Sequence, residues 1–169
     1  MIETTSTLVD LTRPLIAQFN SFCTENNLVG LVQADHICIK CSSSEIYEAR
    51  RKDFEDKSTF IYQSIIANRR ISVIGLTDTI ETSVGDIKYL ELSDQKPDNS
   101  QIDRIDHIEI VPTSLSYDEL VKKLEEQGVE MKSIIRPHHS THDITLASGF
   151  TVRLTQEFLI DKIKREEML

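Results

Sequence analysis

The chain has 169 residues, of which 39% are hydrophobic and 28% charged, and its net charge is −9. That length and balance fit a globular protein of one sizeable domain or two fused halves, and they exclude wholesale disorder. No long basic stripe is present and no apolar run nears the roughly 20 residues that span a bilayer, so nucleic acid and membranes are not expected partners. A small anionic ligand fits, since one local cationic pocket can hold it.

The opening Met1-Ile2-Glu3-Thr4-Thr5 lacks the basic start and apolar core of a secretory signal, which leads to an expectation of a cytoplasmic protein. Thr12 to about Asn26 predicts a helix. Thr12 stands at the cap position, Pro14 in the first turn, and Leu15, Ile16, Phe19, Phe22 and Cys23 recur at helical spacing. Residues 1–30 are therefore expected to form an N-terminal helical segment.

A first module is expected over 31–93. It opens with a strand at Val32–Cys41, followed by a helix that Ser42-Ser43-Ser44-Glu45 introduces with a capping-box pattern. Extended stretches follow near Thr59–Ile66, Arg70–Leu76 and Ile87–Ser93, with Asn68, Gly75 and Gly85 in or near the breaks. Cys38 and Cys41 spell a CxxC motif. On a strand, though, the two thiols lie about 10 Å apart on opposite faces, beyond disulfide reach. They read as small packing residues, and with Cys23 the odd count fits a reducing compartment.

The polar stretch "SDQKPDNSQ" reads as a linker, placed at 94–103. A second module over 104–156 opens with the strand Arg104–Val111. Ser116 and Glu119 repeat the capping box, Leu120, Val121 and Leu124 form an apolar face, and Gly128 is placed to end that helix. Strands are expected near Val129–Ile135, Asp143–Ala147 and Phe150–Thr155. An amphipathic helix, read as Glu157 to Glu167 within a closing segment 157–169, ends the chain through Leu159, Ile160 and Ile163.

Strand side chains alternate faces, so each strand divides into two sets. Ile37, Ile39 and Cys41 oppose His36, Cys38 and Lys40. Ile108 and Ile110 oppose His107, Glu109 and Val111. Leu90 and Leu92 oppose Tyr89, Glu91 and Ser93, while Val152 and Leu154 oppose Thr151, Arg153 and Thr155. Each of these strands offers one apolar face to pack under a helix and one polar face. His36, His107, Glu91, Glu109 and Arg153 on the polar faces read as the contents of a shared cavity.

The paired βαβββ order, with Asp-His-Ile-x-Ile recurring at Asp35 and Asp106, resembles the vicinal oxygen chelate (glyoxalase/bleomycin-resistance-type) superfamily. Within it, "ADHICIKC", "YLELSDQKP", "DHIEIV" and "TLASGFTVRLT" look like the YecM family. The resemblance covers nearly the whole chain. It implies an α+β fold of two βαβββ modules in a half-open curved barrel with a helix at each end. It also implies a divalent metal (Fe, Mn, Zn or Ni) held by His36, Glu91 and His107. The superfamily's fourth ligand place falls on Arg153, which cannot bind a metal.

The function expected from this is a metal-binding isomerase, lyase or dioxygenase acting on a small anionic, oxygen-bearing substrate. Glu109 is the candidate for proton transfer, and Arg153 and Lys40 for substrate binding. The alternative is a metal-free small-ligand-binding protein, with Arg153 paired to Glu91 or Glu109. Asp35 and Asp106 each precede a cavity histidine and are expected to face away, serving backbone or helix-terminus donors. His138, His139 and His142 in "PHHSTHD" read as surface residues, with His142 at most near the cavity mouth. No glycine-rich phosphate loop or Gly-x-Ser-x-Gly is present.

Overall fold

Two runs of alternating strands, each broken by one helix, build the α+β arrangement. The computed structural model describes residues 5–135 and 140–167. Its elements are α1 (Thr5–Glu25), β1 (Val32–Lys40), α2 (Ser44–Glu55), β2 (Ser58–Ile66), β3 (Arg69–Ile80), β4 (Ile87–Ser93), β5 (Arg104–Pro112), α3 (Tyr117–Glu126), β6 (Lys132–Ile134), β7 (Thr141–Thr145), β8 (Thr151–Leu154) and α4 (Leu159–Glu167). The βαβββ order is thus present twice, between terminal helices. The strands form one eight-stranded mixed sheet in the order β2-β3-β4-β1-β5-β8-β7-β6. No helix among the described residues is long and apolar enough to cross a membrane.

The chain packs as two compact units, one of residues 1–14, 36–81 and 87–107, the other of 15–35, 82–86 and 108–169. In the first, β1 runs parallel to β4, with Ile37 beside Leu90 and Ile39 beside Leu92. Ile74 and Ser72 of β3 continue these rows. All four aliphatic partners are fully buried, as are Tyr47 and Phe54 of α2. Tyr47 Oη hydrogen-bonds Ser72 Oγ, which sets α2 on this face. Burying each such side chain contributes about 1.5–3 kcal/mol, so the apolar face decides the register. His36, Cys38 and Glu91 consequently project from the other face.

β2 is an edge strand, paired on one side only, and bears no charged residue. A bulge separates Ser58 from Phe60 where β2 meets β3. Gly75, expected in a break, instead sits inside β3 beside that bulge, where a Cβ would stand 2.5 Å from Thr59 Oγ1. The true turn is Ala67-Asn68, both at positive φ.

In the second unit, Leu120 and Leu124 of α3 are buried along with Ile108, Ile110, Val152 and Leu154. The Ser116–Glu119 capping box forms as expected, and Gly128 at φ +78 follows the helix.

Three expectations change. Thr12 does not cap α1, which begins earlier. Its buried hydroxyl instead donates to Leu8 O at 2.9 Å, and Pro14 lies inside the helix. For α2 the cap is Ser43 and not Ser42, accepting from Ile46 N, so Glu45 falls one position short of the capping-box register. The polar stretch after β4 is more built than a linker. Gln101 is buried, and its Nε2 donates to Cys41 O (2.9 Å), Ser93 O (3.1 Å) and Asp94 O (2.8 Å), tying the ends of β1 and β4.

Gln101→Leu removes that donor and strands buried carbonyls. It is expected to destabilise the protein by about 1–3 kcal/mol, read as a lower urea midpoint.

Candidate metal centre

β1, β4 and β5 bring three side chains of the first unit together. His36, Glu91 and His107 each offer one ligand atom, and these atoms lie within 4.8 Å of one another. The two imidazoles are almost fully buried, meeting edge-on with ring centroids 6.1 Å apart, and Glu91 is 21% exposed. His36 Nε2 lies 3.9 Å from Glu91 Oε2.

Two side chains support this group in roles not expected of them. Cys38, which pairs with Glu91 in the β1–β4 register, donates its thiol to Glu91 Oε1 at 3.2 Å. The signal lay in the sequence, because Cys38 stands two residues after His36 on the same strand face. Asp106 was expected to face away and serve main-chain donors, and here the structure differs. Its Oδ2 accepts from His107 Nδ1 at 2.8 Å and pairs with Lys40 Nζ at 2.6 Å, while Oδ1 accepts from Arg104 Nε at 2.6 Å.

Burial alone would raise the Asp106 pKa, but His107 and Lys40 outweigh it and hold the carboxyl well below the usual range. An ionised Asp106 can only accept, so His107 donates to it through Nδ1 and turns Nε2 away from that contact. That is the tautomer a metal requires, and carboxylate–histidine pairs of this kind orient metal-binding imidazoles.

Two imidazoles and one carboxylate suit a divalent ion with further positions open. Ligand atoms around one ion at roughly 2.1 Å stand about 3 Å apart when adjacent. The present spread, up to 4.8 Å, is wider than that. The donor set therefore fits a metal in kind, and its spacing is slightly open.

The other expected site residues have partners of their own. Lys40 is committed to Asp106. In the second unit, Arg153 holds Asp143 by two bonds (Nε to Oδ1, 2.7 Å; Nη2 to Oδ2, 2.9 Å) and Glu109 at 3.6 Å. Tyr117 Oη meets His142 Nδ1 at 2.8 Å in the same unit, so His142 is half-buried in a contact rather than a plain surface residue. Burial pushes the Tyr117 hydroxyl up to about 12. Asp35 accepts from Leu159 N at the start of α4, as expected for a helix-terminus acceptor. His138 and His139 lie outside the described residues.

All three cysteines are buried thiols. Burial pushes Cys23 up to about 12 and Cys41 up to about 11, and raises Cys38 well above the ordinary thiol value.

A family model described as YecM protein matches residues 11–157. The chain belongs to the YecM family. A protein solved under structural genomics as EC4020 superimposes on this YecM-family chain with a TM-score of 0.61 at 20% identity, covering 93% of this chain and 92% of its own. The shared fold is the glyoxalase-like α+β arrangement. Looser overlaps extend to other solved structures. One is a methylmalonyl-CoA epimerase in complex with methylmalonyl-CoA and NH4+ (TM-score 0.45, 16% identity, 77% of this chain and 97% of that one). Another is the Oryza sativa hydroxyglutarate synthase in complex with 2-oxoadipate (0.48, 11%, 92% and 83%). No curated protein matches the chain.

Asp106→Ala leaves Lys40 beside an empty acceptor in a largely buried site. Breaking a buried pair costs about 3–5 kcal/mol, and because Lys40 is 20% exposed the lower end is expected, measured by urea unfolding. The carboxyl is depressed in the folded state. Its contribution is therefore fully present above the unfolded value near 3.9 and is lost as pH falls further, a dependence that Asp106→Asn abolishes.

Proposed function

We propose that this chain is a divalent-metal-binding enzyme of vicinal oxygen chelate type, of the isomerase, lyase or dioxygenase class, acting on a small oxygen-bearing anion. The observation that carries the reading is the convergence of His36, Glu91 and His107 ligand atoms within 4.8 Å. These three residues would hold the ion, which would supply Lewis-acid polarisation of a substrate oxygen. Around them the chain's own groups fix orientation. Cys38 holds one Glu91 oxygen, and Asp106 sets the His107 ring and tautomer. His107 and Lys40 keep Asp106 ionised.

Proton transfer by Glu109 and anion binding by Arg153 are part of the same proposal, and both carry a condition. The Arg153 ion pairs with Asp143 and Glu109 must open or rearrange for an anion to take the guanidinium. That condition supports a second reading, a metal-free small-ligand-binding protein in which Arg153 serves as an ion-pair centre. Lys40 can meet an anion only by sharing its charge with Asp106.

Metal analysis of purified protein after incubation with Mn(II), Fe(II), Zn(II) or Ni(II) separates the two readings. About one ion per chain is expected in the wild type, falling to background in a His36→Ala/His107→Ala double variant. Background levels in both proteins would favour the metal-free reading. Asp106→Asn, which takes away the ionised acceptor, is expected to weaken metal affinity by about 10–100-fold in a calorimetric titration.

A further inference from the structure

We propose that the first unit carries a subsite for an aromatic ring beside these ligands, walled by Phe60, Tyr62 and Tyr89, so that the favoured substrates are aromatic acids rather than aliphatic ones. The proposal rests on the metal-site reading for the placement of the substrate's oxygens. The wall itself follows from register alone.

Side chains of directly paired strand residues share a sheet face. One row across the first unit reads Phe60, Gly75, Tyr89, His36, and the next reads Tyr62, Val73, Glu91, Cys38. Three aromatic side chains therefore stand on the face that bears two of the candidate metal ligands. Strands lie about 4.8 Å apart, which puts Tyr89 next to His36 and Tyr62 two strands, about 10 Å, from Glu91. A six-membered ring carrying a carboxylate spans that interval.

Two further observations favour a ligand over plain surface. Phe60 is 41% exposed and Tyr62 and Tyr89 are half-buried, so solvent reaches the aromatic groups. The whole of β2 lacks charge in a chain that is 28% charged, so this part of the face offers apolar and hydroxyl contacts only. Aromatic side chains at such a place favour a planar guest, through offset or edge-on ring contacts, over a flexible chain of equal charge.

The test uses two hydroxycarboxylates, 2-hydroxybenzoate with a ring and glycolate without, and reads how the affinity for each changes between variants. Each is titrated calorimetrically into metal-loaded wild type, a Tyr62→Val/Tyr89→Val double variant and a Phe60→Thr variant, with metal content and urea midpoint measured on every sample. In the double variant, 2-hydroxybenzoate affinity is expected to fall about tenfold while glycolate affinity and metal content hold. Phe60→Thr, at an exposed position, is expected to show a smaller loss in the same direction. An unchanged ratio of the two affinities, or an equal fall for both ligands, overturns the proposal. If wild type binds no metal, the functional reading fails on its own, and the ratio is then taken on metal-free protein. A preference for the ring that the double variant loses still supports the wall, and no preference overturns it.

Discussion

The parallel pairing of β1 with β4 is the constraint on which the candidate site depends. A strand repeats every two residues, so a shift of one would turn Glu91 under α2 and push Leu90 toward solvent. Ile37, Ile39, Leu90 and Leu92 are all fully buried on the α2 side, and their combined burial outweighs any single polar contact on the other side. The apolar rows thus determine where the polar rows land. Cys38 lies beside Glu91, and His36 beside Tyr89, because the aliphatic residues between them leave no other arrangement. Gln101 reinforces the pairing from the ends of both strands.

The two units solve the problem of buried charge with opposite stoichiometries. In the first, one carboxylate, Asp106, gathers Lys40, Arg104 and the imidazole of His107. In the second, one guanidinium, Arg153, gathers Asp143 and Glu109. A lone charge in either setting would be costly, and each cluster offsets that cost by hydrogen bonding as well as attraction. The consequences for chemistry differ. The first arrangement leaves an imidazole oriented and in a defined tautomer. The second leaves a guanidinium already held between two carboxylates.

The element order and the face assignments were legible because they rest on period and on caps. Alternation in "HICIK" and "YLELS" placed His36 and Glu91 opposite the aliphatic residues, and Ser116 with Glu119 marked the start of α3. The grouping of His36, Glu91 and His107 came from the family resemblance combined with that alternation. Contacts that depend on side-chain reach were harder to see. Nothing in the order of residues says that Asp106, next to His107 in the chain, bends back to its neighbour's ring and to Lys40. The metal-free alternative paired Arg153 with Glu91 or Glu109, and Glu109 is indeed beside it, but its bidentate partner Asp143 was missed, since that choice depends on the β7–β8 register. Composition misled at two places. The polar letters of "SDQKPDNSQ" hid a buried glutamine, and Thr12 looked like a cap although it lies in the interior of a longer helix.

The buried cysteines have a consequence for handling and for dynamics. Thiolate is the reactive form, and a thiol with a pKa near 11 is ionised only to about one part in ten thousand at neutral pH. Alkylating reagents therefore meet these groups chiefly when the surrounding chain transiently opens. Cys38 and Cys41 report on the first unit and Cys23 on the second, so the chain contains its own clocks for the breathing of each half.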